Sequence, residues 1–504
     1  MNQVLPNKWV DREALRDKGQ FWTPFWVADA MAKYISQDSN YFFDPAVGKG
    51  SFLYSLKRLN SNEFSFYGTD IDSELLNEQI FEDKNCFVEC KDFIKNPPKR
   101  KFTSIIANPP YIRHHRIDNA TKSILKELSF KITGRVIDGR AGYHIYFLIQ
   151  ALNLLEKNGR LVFIMPADTC EGTFSKYLWD WITKNYCLEA VVVFDEKATP
   201  FPNVDTNSII FFIKNIDQMD KIHWVKCKES NSADLLDFVS SGFNSKINYE
   251  SLDIFDRDIR EAIKTGLSRP SQKNSTYKFQ LKNFAKVMRG IATGSNEFFF
   301  LTKAQAKKNN IPEEFLRYAI GRTKDIGSDI ITLSDLDDLE LKNRPTQLLC
   351  VENIANISQS ISDYLKLGVE LGLPDRPLIK QRKPWYKMEK RKIPPILFTY
   401  LGRRSSRFIK NEAKVLPLTG FLCVYPQSNN ENYINNLWKA LNHPATLENL
   451  HLVGKSYGSG SIKVEPRMLD NLPIPSKVVN EYNLLKDINL LDPHKDKIPT
   501  LKFL

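Results

Sequence analysis

The stretch FTSIIANPPY, residues 102–111, runs an apolar segment straight into Asn108-Pro109-Pro110-Tyr111, where no sheet can continue. Proline has no N–H for a ladder and Asn tolerates turn conformations, so the tetrapeptide by itself reads as a turn as readily as a site. Its surroundings decide. Short β-rich apolar runs recur at YFFD (41–44), FSFYGTD (64–70), CFVEC (86–90), LVFIMP (161–166), AVVVF (190–194) and NSIIFFI (207–213). Between most of them lie segments of helical period, among them AGYHIYFLIQALNLLEKNGR (141–160), which predicts a helix closing at Asn158-Gly159. Strand and helix alternating in this way predict an α/β, Rossmann-like fold whose mostly parallel sheet is covered on both faces. In such sheets ligands sit at the carboxyl ends of the strands.

The residues just after each strand are therefore the informative ones. The first strand opens into Asp44-Pro45-Ala46-Val47-Gly48-Lys49-Gly50-Ser51, where Gly48 and Gly50 let backbone approach a ligand and Asp44 can hold a cationic group. A phosphate-cradling loop would need Gly five residues before Lys49 and Ser or Thr after it, but those places hold Asp44 and Gly50. A dinucleotide fingerprint would need a third Gly where Leu53 stands. Both readings fail. The second strand ends at Asp70, about twenty residues past the glycines, where an acid accepts hydrogen bonds from ribose hydroxyls or, in the plainer reading, caps the helix starting near Ser73. The third ends at Asp92-Phe93, an acceptor beside an aromatic, suited to the amine and face of an adenine ring. An adenosine carrying a charged amino-acid tail, S-adenosylmethionine, matches this set.

The chain has 504 residues, 42% hydrophobic and 26% charged, enough for two to four globular domains. Its formal charge of +12 and pI near 9.1 fit a polyanionic partner. No apolar run reaches the roughly 18 residues of a membrane span, and the first residues lack a signal-peptide core, so a cytoplasmic protein without a membrane partner is expected. The seven cysteines form no CxxC pair, which predicts buried free thiols and no metal site.

The order Thr23-Pro24, DPAVGKGSF, YGTDID, KDF and ANPPY resembles the gamma class of N6-adenine DNA methyltransferases of type II restriction-modification systems, the TaqI-methylase-like enzymes. The resemblance is strong over residues 15–215 and rests on layout beyond them. It implies a methyltransferase domain over residues 1–245 and a C-terminal α+β DNA target-recognition domain over 246–504. It also implies Thr23, Pro45, Ala46 and Asn108 at the cofactor, beside Asp44, Gly48, Gly50, Asp70, Asp92 and Phe93, and, in ATPFPNVDTNSIIFF, Phe201 as a stacking partner for the target base. Double-stranded DNA would be the substrate, a cognate restriction endonuclease the functional partner, and the enzyme itself a monomer.

Within that resemblance the opening tetrapeptide acquires a chemistry. The lone pair of an adenine exocyclic nitrogen is delocalised into its ring. Two acceptors aimed at its N–H bonds, the Asn108 side-chain oxygen and the Pro109 carbonyl, favour a pyramidal nitrogen that can attack a methylsulfonium. Pro109 and Pro110 stiffen the loop, so these acceptors are preorganised. Tyr111 offers a ring face, and a base inside a duplex must be turned out to reach it at a cost of a few kcal/mol. Glutamine methyltransferases and RNA adenine or guanine methyltransferases share similar Asn-Pro-Pro-Tyr loops, and a catalytically idle DNA-binding module is a further alternative.

The C-terminal half separates some of these. Residues 371–410 hold twelve Lys or Arg against Asp375 and Glu389. Within RKPWYKMEKRK and GRRSSRF, the residues Arg382, Lys383, Trp385, Tyr386, Arg403, Arg404 and Arg407, with Phe408 interleaved, suit phosphate neutralisation and base contact. GKSYGSGSIKVEPRMLDNLPIP (454–475) resembles the closing segment of gamma-class recognition domains and adds Lys455 to the expected DNA contacts.

Overall fold

The structure is a computed structural model that describes residues 21–60, 63–170, 174–202, 207–270, 278–351, 358–399, 406–456 and 462–486. The chain divides into two compact units, the first running to residue 274 and the second from 275 onward.

The first unit is built on nine strands: β1 (Tyr41–Asp44), β2 (Ser65–Asp70), β3 (Cys86–Cys90), β4 (Phe102–Ala107), β5 (Leu155–Pro166), β6 (Cys187–Phe194), β7 (Ser208–Lys214), β8 (Lys221–Cys227) and β9 (Leu252–Asp258). Their order is β3-β2-β1-β4-β5-β7-β6-β8-β9. β1 pairs in parallel with β2 on one side and β4 on the other, so the strand order reverses there and leaves a crevice at the carboxyl ends. The expectation of a mostly parallel sheet holds for β3 through β5, whereas β7 lies antiparallel between β5 and β6, and β9 antiparallel to β8. Alternating side chains fill the two faces. Phe43, Ile105 and Phe163 enter one core with helix Tyr143–Asn153, while Phe42, Ile106 and Val162 enter the other with helices Phe25–Ile35 and Ser51–Leu59.

Two boundaries differ from the sequence expectation. The helix predicted to close at Asn158-Gly159 ends at Asn153, and β5 already begins at Leu155. Asn158 has φ +63° and Gly159 approaches Thr103 so closely that a Cβ would stand 2.8 Å from its carbonyl oxygen. The Asn-Gly pair therefore makes an irregularity inside a strand, at a register shift against β4, and not a helix cap. The first unit also extends beyond residue 245, because β9 pairs along its length with β8 and helix Ile259–Thr265 follows it. Five of the seven cysteines are buried as expected, but Cys90 is exposed and Cys86 only half-buried.

The second unit mixes sheets and helices, in accord with the α+β expectation. A five-stranded sheet runs Ala285–Arg289, Phe421–Pro426, Ile396–Thr399, Arg407–Asn411, Ile330–Ile331. A four-stranded sheet runs Phe300–Leu301, Gln347–Leu349, Leu316–Ile320, Leu416–Pro417. Phe398, Phe408 and Leu422 pack against helix Glu431–Leu441, and Leu397, Ile409 and Phe421 against Leu336 and Leu339 on the opposite face. No helix among the described residues is long and apolar enough to cross a membrane.

Candidate functional site

The carboxyl ends of β1, β2, β3 and β4 surround one cavity of about 310 Å³, within the range of small-molecule sites. Thr23, Pro45, Ala46, Gly48, Asp70, Asp92, Phe93 and Asn108 line it, so eight of the ten residues expected at the cofactor converge there. Asp44 and Gly50 lie beneath the lining. Asp44 is 1% exposed and accepts the Ala46 N–H at 2.9 Å; burial holds its carboxyl well above the ordinary value. Gly50 has φ +75° and turns the chain into helix Ser51–Leu59.

The loop after β1 is shaped by what packs on it. Gly48 has φ +51°, and a Cβ there would stand 2.8 Å from the Trp22 ring, so the glycine serves a close aromatic approach as well as a turn. Asp70 receives Gly48 N–H on one carboxylate oxygen at 2.9 Å and Asp72 N–H on the other at 3.0 Å. It thereby ties β2 to the glycine loop; the capping role falls to Asp72, which accepts Glu74 N–H. Burial raises the Asp70 carboxyl above its usual range. Each oxygen keeps a further lone pair for a ligand hydroxyl. Asp92 accepts Ile94 and Lys95 N–H groups at 3.0 and 3.2 Å through one oxygen, and its other oxygen lies 3.5 Å from the Lys95 ammonium. Phe93 is set more deeply than a free-standing stacking face, 1% exposed against Phe43 and Phe147.

Asn108 is the polar residue whose geometry is most constrained. Its amide nitrogen donates to the Phe21 carbonyl at 2.6 Å and to Thr23 Oγ1 at 3.2 Å. A backbone carbonyl only accepts, so the amide is oriented with nitrogen on that side and oxygen on the other. That oxygen is buried with no donor among the described residues. Buried acceptors are normally satisfied, and one left open at a cavity wall is an acceptor held ready. Pro110 lines the same cavity. Pro109 does not lie among the lining residues, although it directly follows Asn108.

Tyr111 and Phe201 are brought together, but not as two walls with a gap. Both are buried, at 9% and 4% exposure, and their rings meet edge to face at 6.3 Å. Phe21 packs on both, 5.3 Å from Tyr111 and 5.8 Å from Phe201. The Tyr111 hydroxyl donates to the Ile164 carbonyl at 3.2 Å, and burial pushes its phenol far above the ordinary value. His144 lies on the other side of the ring at 6.2 Å, its Nε2 3.4 Å from Asp168. Phe21 and Trp22 escape a sequence reading because they belong to no strand end, and only their step before Thr23-Pro24 hinted at the site.

In the second unit, the expected DNA contacts sort into two groups. Arg382 donates to the Ala292 carbonyl at 2.6 Å and lies over the Phe299 ring at 5.7 Å; burial lowers its pKa. Trp385 packs on Phe298 and Phe299, its ring so close to Gly368 that a Cβ there would stand 2.4 Å away. Tyr386 is partly buried against the same cluster, and Phe408 faces the core at 0% exposure, which removes it from base contact. Arg407 donates to the Ile326 carbonyl and pairs with Asp329 at 3.4 Å. The basic residues of the segment that are exposed are Arg376, Lys380, Lys383, Lys387, Lys390 and Lys392. Arg403 and Arg404 lie outside the described residues, as does the side chain of Lys455, whose backbone pairs with Lys463.

Comparison with known proteins finds two matching family models and several similar chains. Residues 29–201 match the Eco57I restriction-modification methylase family, and residues 268–498 match the C-terminal domain of type II methyltransferase M.Eco57I. The chain is 28% identical over 499 residues to type II methyltransferase M.AccI of Acinetobacter calcoaceticus, covering 96% of this chain and 88% of that protein. It is 23% identical over 477 residues to type II methyltransferase M.XamI of Xanthomonas campestris pv. amaranthicola, covering 91% and 85%. Among solved structures, the type IIG restriction endonuclease BpuSI aligns with TM-score 0.48 and 18% identity, over 94% of this chain and 63% of that longer one.

Proposed function

We propose, from its similarity to type II restriction-modification methyltransferases, that the chain transfers a methyl group to the exocyclic N6 of an adenine turned out of duplex DNA, in the manner of the gamma class. The observation that carries this reading is the Asn108 amide, its nitrogen tied to Phe21 and Thr23 and its buried oxygen without a donor. An amine N–H is the complement of that oxygen.

The cavity beside it fits S-adenosylmethionine in volume and donor set: Asp70 and Asp92 offer acceptor oxygens to hydroxyl and amine groups. When bound, S-adenosylmethionine supplies a methyl group on a positively charged sulfur. The chain's own residues then orient and desolvate. Asn108 and the Pro109 carbonyl accept from the two amine hydrogens, which localises the nitrogen lone pair as the methyl group is transferred. Because these acceptors are fixed before the reaction, no reorganisation is needed as charge develops. Tyr111 and Phe201 stack or edge the base, and stacking returns about 1–3 kcal/mol of the cost of turning the base out. The exposed lysines of the second unit neutralise phosphates, and modification of the site protects it from a cognate restriction endonuclease in the cytoplasm.

The test is to sequence, with detection of modified bases, DNA from a host expressing the protein. A single motif carrying N6-methyladenine is the expected result. Methylation of cytosine, or none in the presence of S-adenosylmethionine, would overturn the reading.

A further inference from the structure

Two residues past Tyr111 the chain makes a short turn, Arg113-His114-His115-Arg116; Arg116 lines the cofactor cavity, and the assignments above leave Arg113, His114 and His115 without a role. The turn is fixed at both ends. Ile112 accepts the Tyr143 N–H on its carbonyl at 2.9 Å, and Ile117 is buried at 8% exposure. Between these two apolar pegs, Arg116 N–H closes onto the Arg113 carbonyl at 2.9 Å, and Ile117 N–H onto that of His114 at 3.4 Å. Arg113 and His115 are exposed. Among the described residues no hydrogen bond or ion pair engages the side chains of Arg113, His114 or His115. Asp118, just after the turn, is occupied: it accepts both the N–H and the hydroxyl of Thr121, at 2.8 and 2.6 Å, as the cap of helix Asn119–Thr133.

We propose that this turn is a phosphate clamp on the DNA strand that carries the target adenine. The inference rests on the functional reading above. Turning a nucleotide out rotates its sugar and carries its flanking phosphates away from their helical track, so the rim of the pocket must hold them. The base goes to Asn108 and Tyr111, and successive Cα atoms are about 3.8 Å apart. A residue two positions beyond Tyr111 therefore stands at that rim. An arginine is suited to it, because its planar fork meets two phosphate oxygens at once. The pegged turn lowers the entropy lost when the contact forms. Arg113 belongs to the first unit, so its contribution can be tested apart from that of the lysines of the second.

The experiment uses the full chain and the duplex motif found by sequencing, prepared with the normal linkage or with an uncharged methylphosphonate immediately 5′ or 3′ of the target adenine. Affinity is measured across a salt series. Arg113→Ala is expected to weaken binding several-fold and to flatten the salt slope by about one unit, as loss of one phosphate contact does. Arg113→Lys keeps the charge and should keep the slope. One of the two methylphosphonates should reproduce the loss in the wild-type protein and add nothing further in Arg113→Ala. An unchanged slope in Arg113→Ala, or losses that multiply with both methylphosphonates, would overturn the clamp. A wild-type protein that binds duplex DNA yet methylates no adenine would sink the functional reading instead, and the slope on plain duplex would still decide the role of Arg113.

Discussion

The carboxyl end of the first sheet and the basic segment of the second unit use polar residues in opposite ways. At the sheet end, Asp44, Asp70 and Asn108 are withdrawn from water and each is oriented by the backbone or a neighbouring side chain. In the basic segment, the arginine and tryptophan nearest the core, Arg382 and Trp385, hold the loop, and lysines face solvent. The difference follows from what each must do. A reacting amine needs an acceptor at one position, and burial makes a fixed dipole effective. A polyanion needs charge spread along its track, for which mobile solvated lysines suffice.

The sharpest way to break this contrast is Asn108→Ala. Loss of one preorganised acceptor should cost on the order of 3 kcal/mol in the barrier, a rate loss of about a hundredfold, by analogy with removal of an oxyanion-hole donor. Cofactor affinity, measured by calorimetry, should change little. Near-normal turnover would mean that the buried amide oxygen has no part in the reaction.

Next in size is Trp385→Ala, which tests whether the aromatic of the basic segment is structural. A half-buried ring packed on Phe298 and Phe299 should cost about 2 kcal/mol of stability when truncated, somewhat less than a fully buried one. The expected signature is a lower melting temperature with an unchanged salt slope for DNA binding. A variant of normal stability with weakened DNA binding would put Trp385 at the DNA and dissolve the contrast.

Asp70 offers a smaller and pH-dependent effect. Burial raises its carboxyl, so protonation begins above the ordinary value of about 4 as pH falls. A protonated Asp70 loses acceptor capacity and its charge, so S-adenosylmethionine affinity should decline as pH drops through that range. The same shift has a stability sign: a raised folded-state pKa favours the protonated form, so its contribution to stability is present at low pH and lost as pH rises through it. Asp70→Asn should lower affinity at pH 7 by roughly tenfold, as expected for a hydrogen bond to a charged group, and flatten the pH profile. An identical profile in both proteins would take Asp70 out of the cofactor site.

The smallest effect belongs to Lys383→Ala combined with Lys387→Ala. Affinity for DNA should fall modestly and the salt slope should flatten by about two units, one for each lost phosphate contact. Folding should be untouched, since both side chains are exposed. A slope unchanged by the pair would show that the lysines are simply solvated.

The sequence by itself determined the strands of the first unit, the loop residues at their ends and the order of the motifs. Alternation of period two and strand-ending polar residues are local properties, written where they act. It also marked Asn108, because an Asn-Pro-Pro behind an apolar run departs from what a sheet tolerates. Only the tertiary structure decided which way the Asn108 amide points, since its orientation comes from Phe21 and Thr23, more than eighty residues away. The same holds for Phe21 packed on both Tyr111 and Phe201, and for Asn158-Gly159, whose helix-ending signature was overridden by pairing with β4. In the basic segment, composition gave the sign of the charge but not its direction. Whether Arg382 or Lys383 meets solvent depends on where the loop packs against Ala292 and Phe299, and a count of positive residues carries no information about that packing.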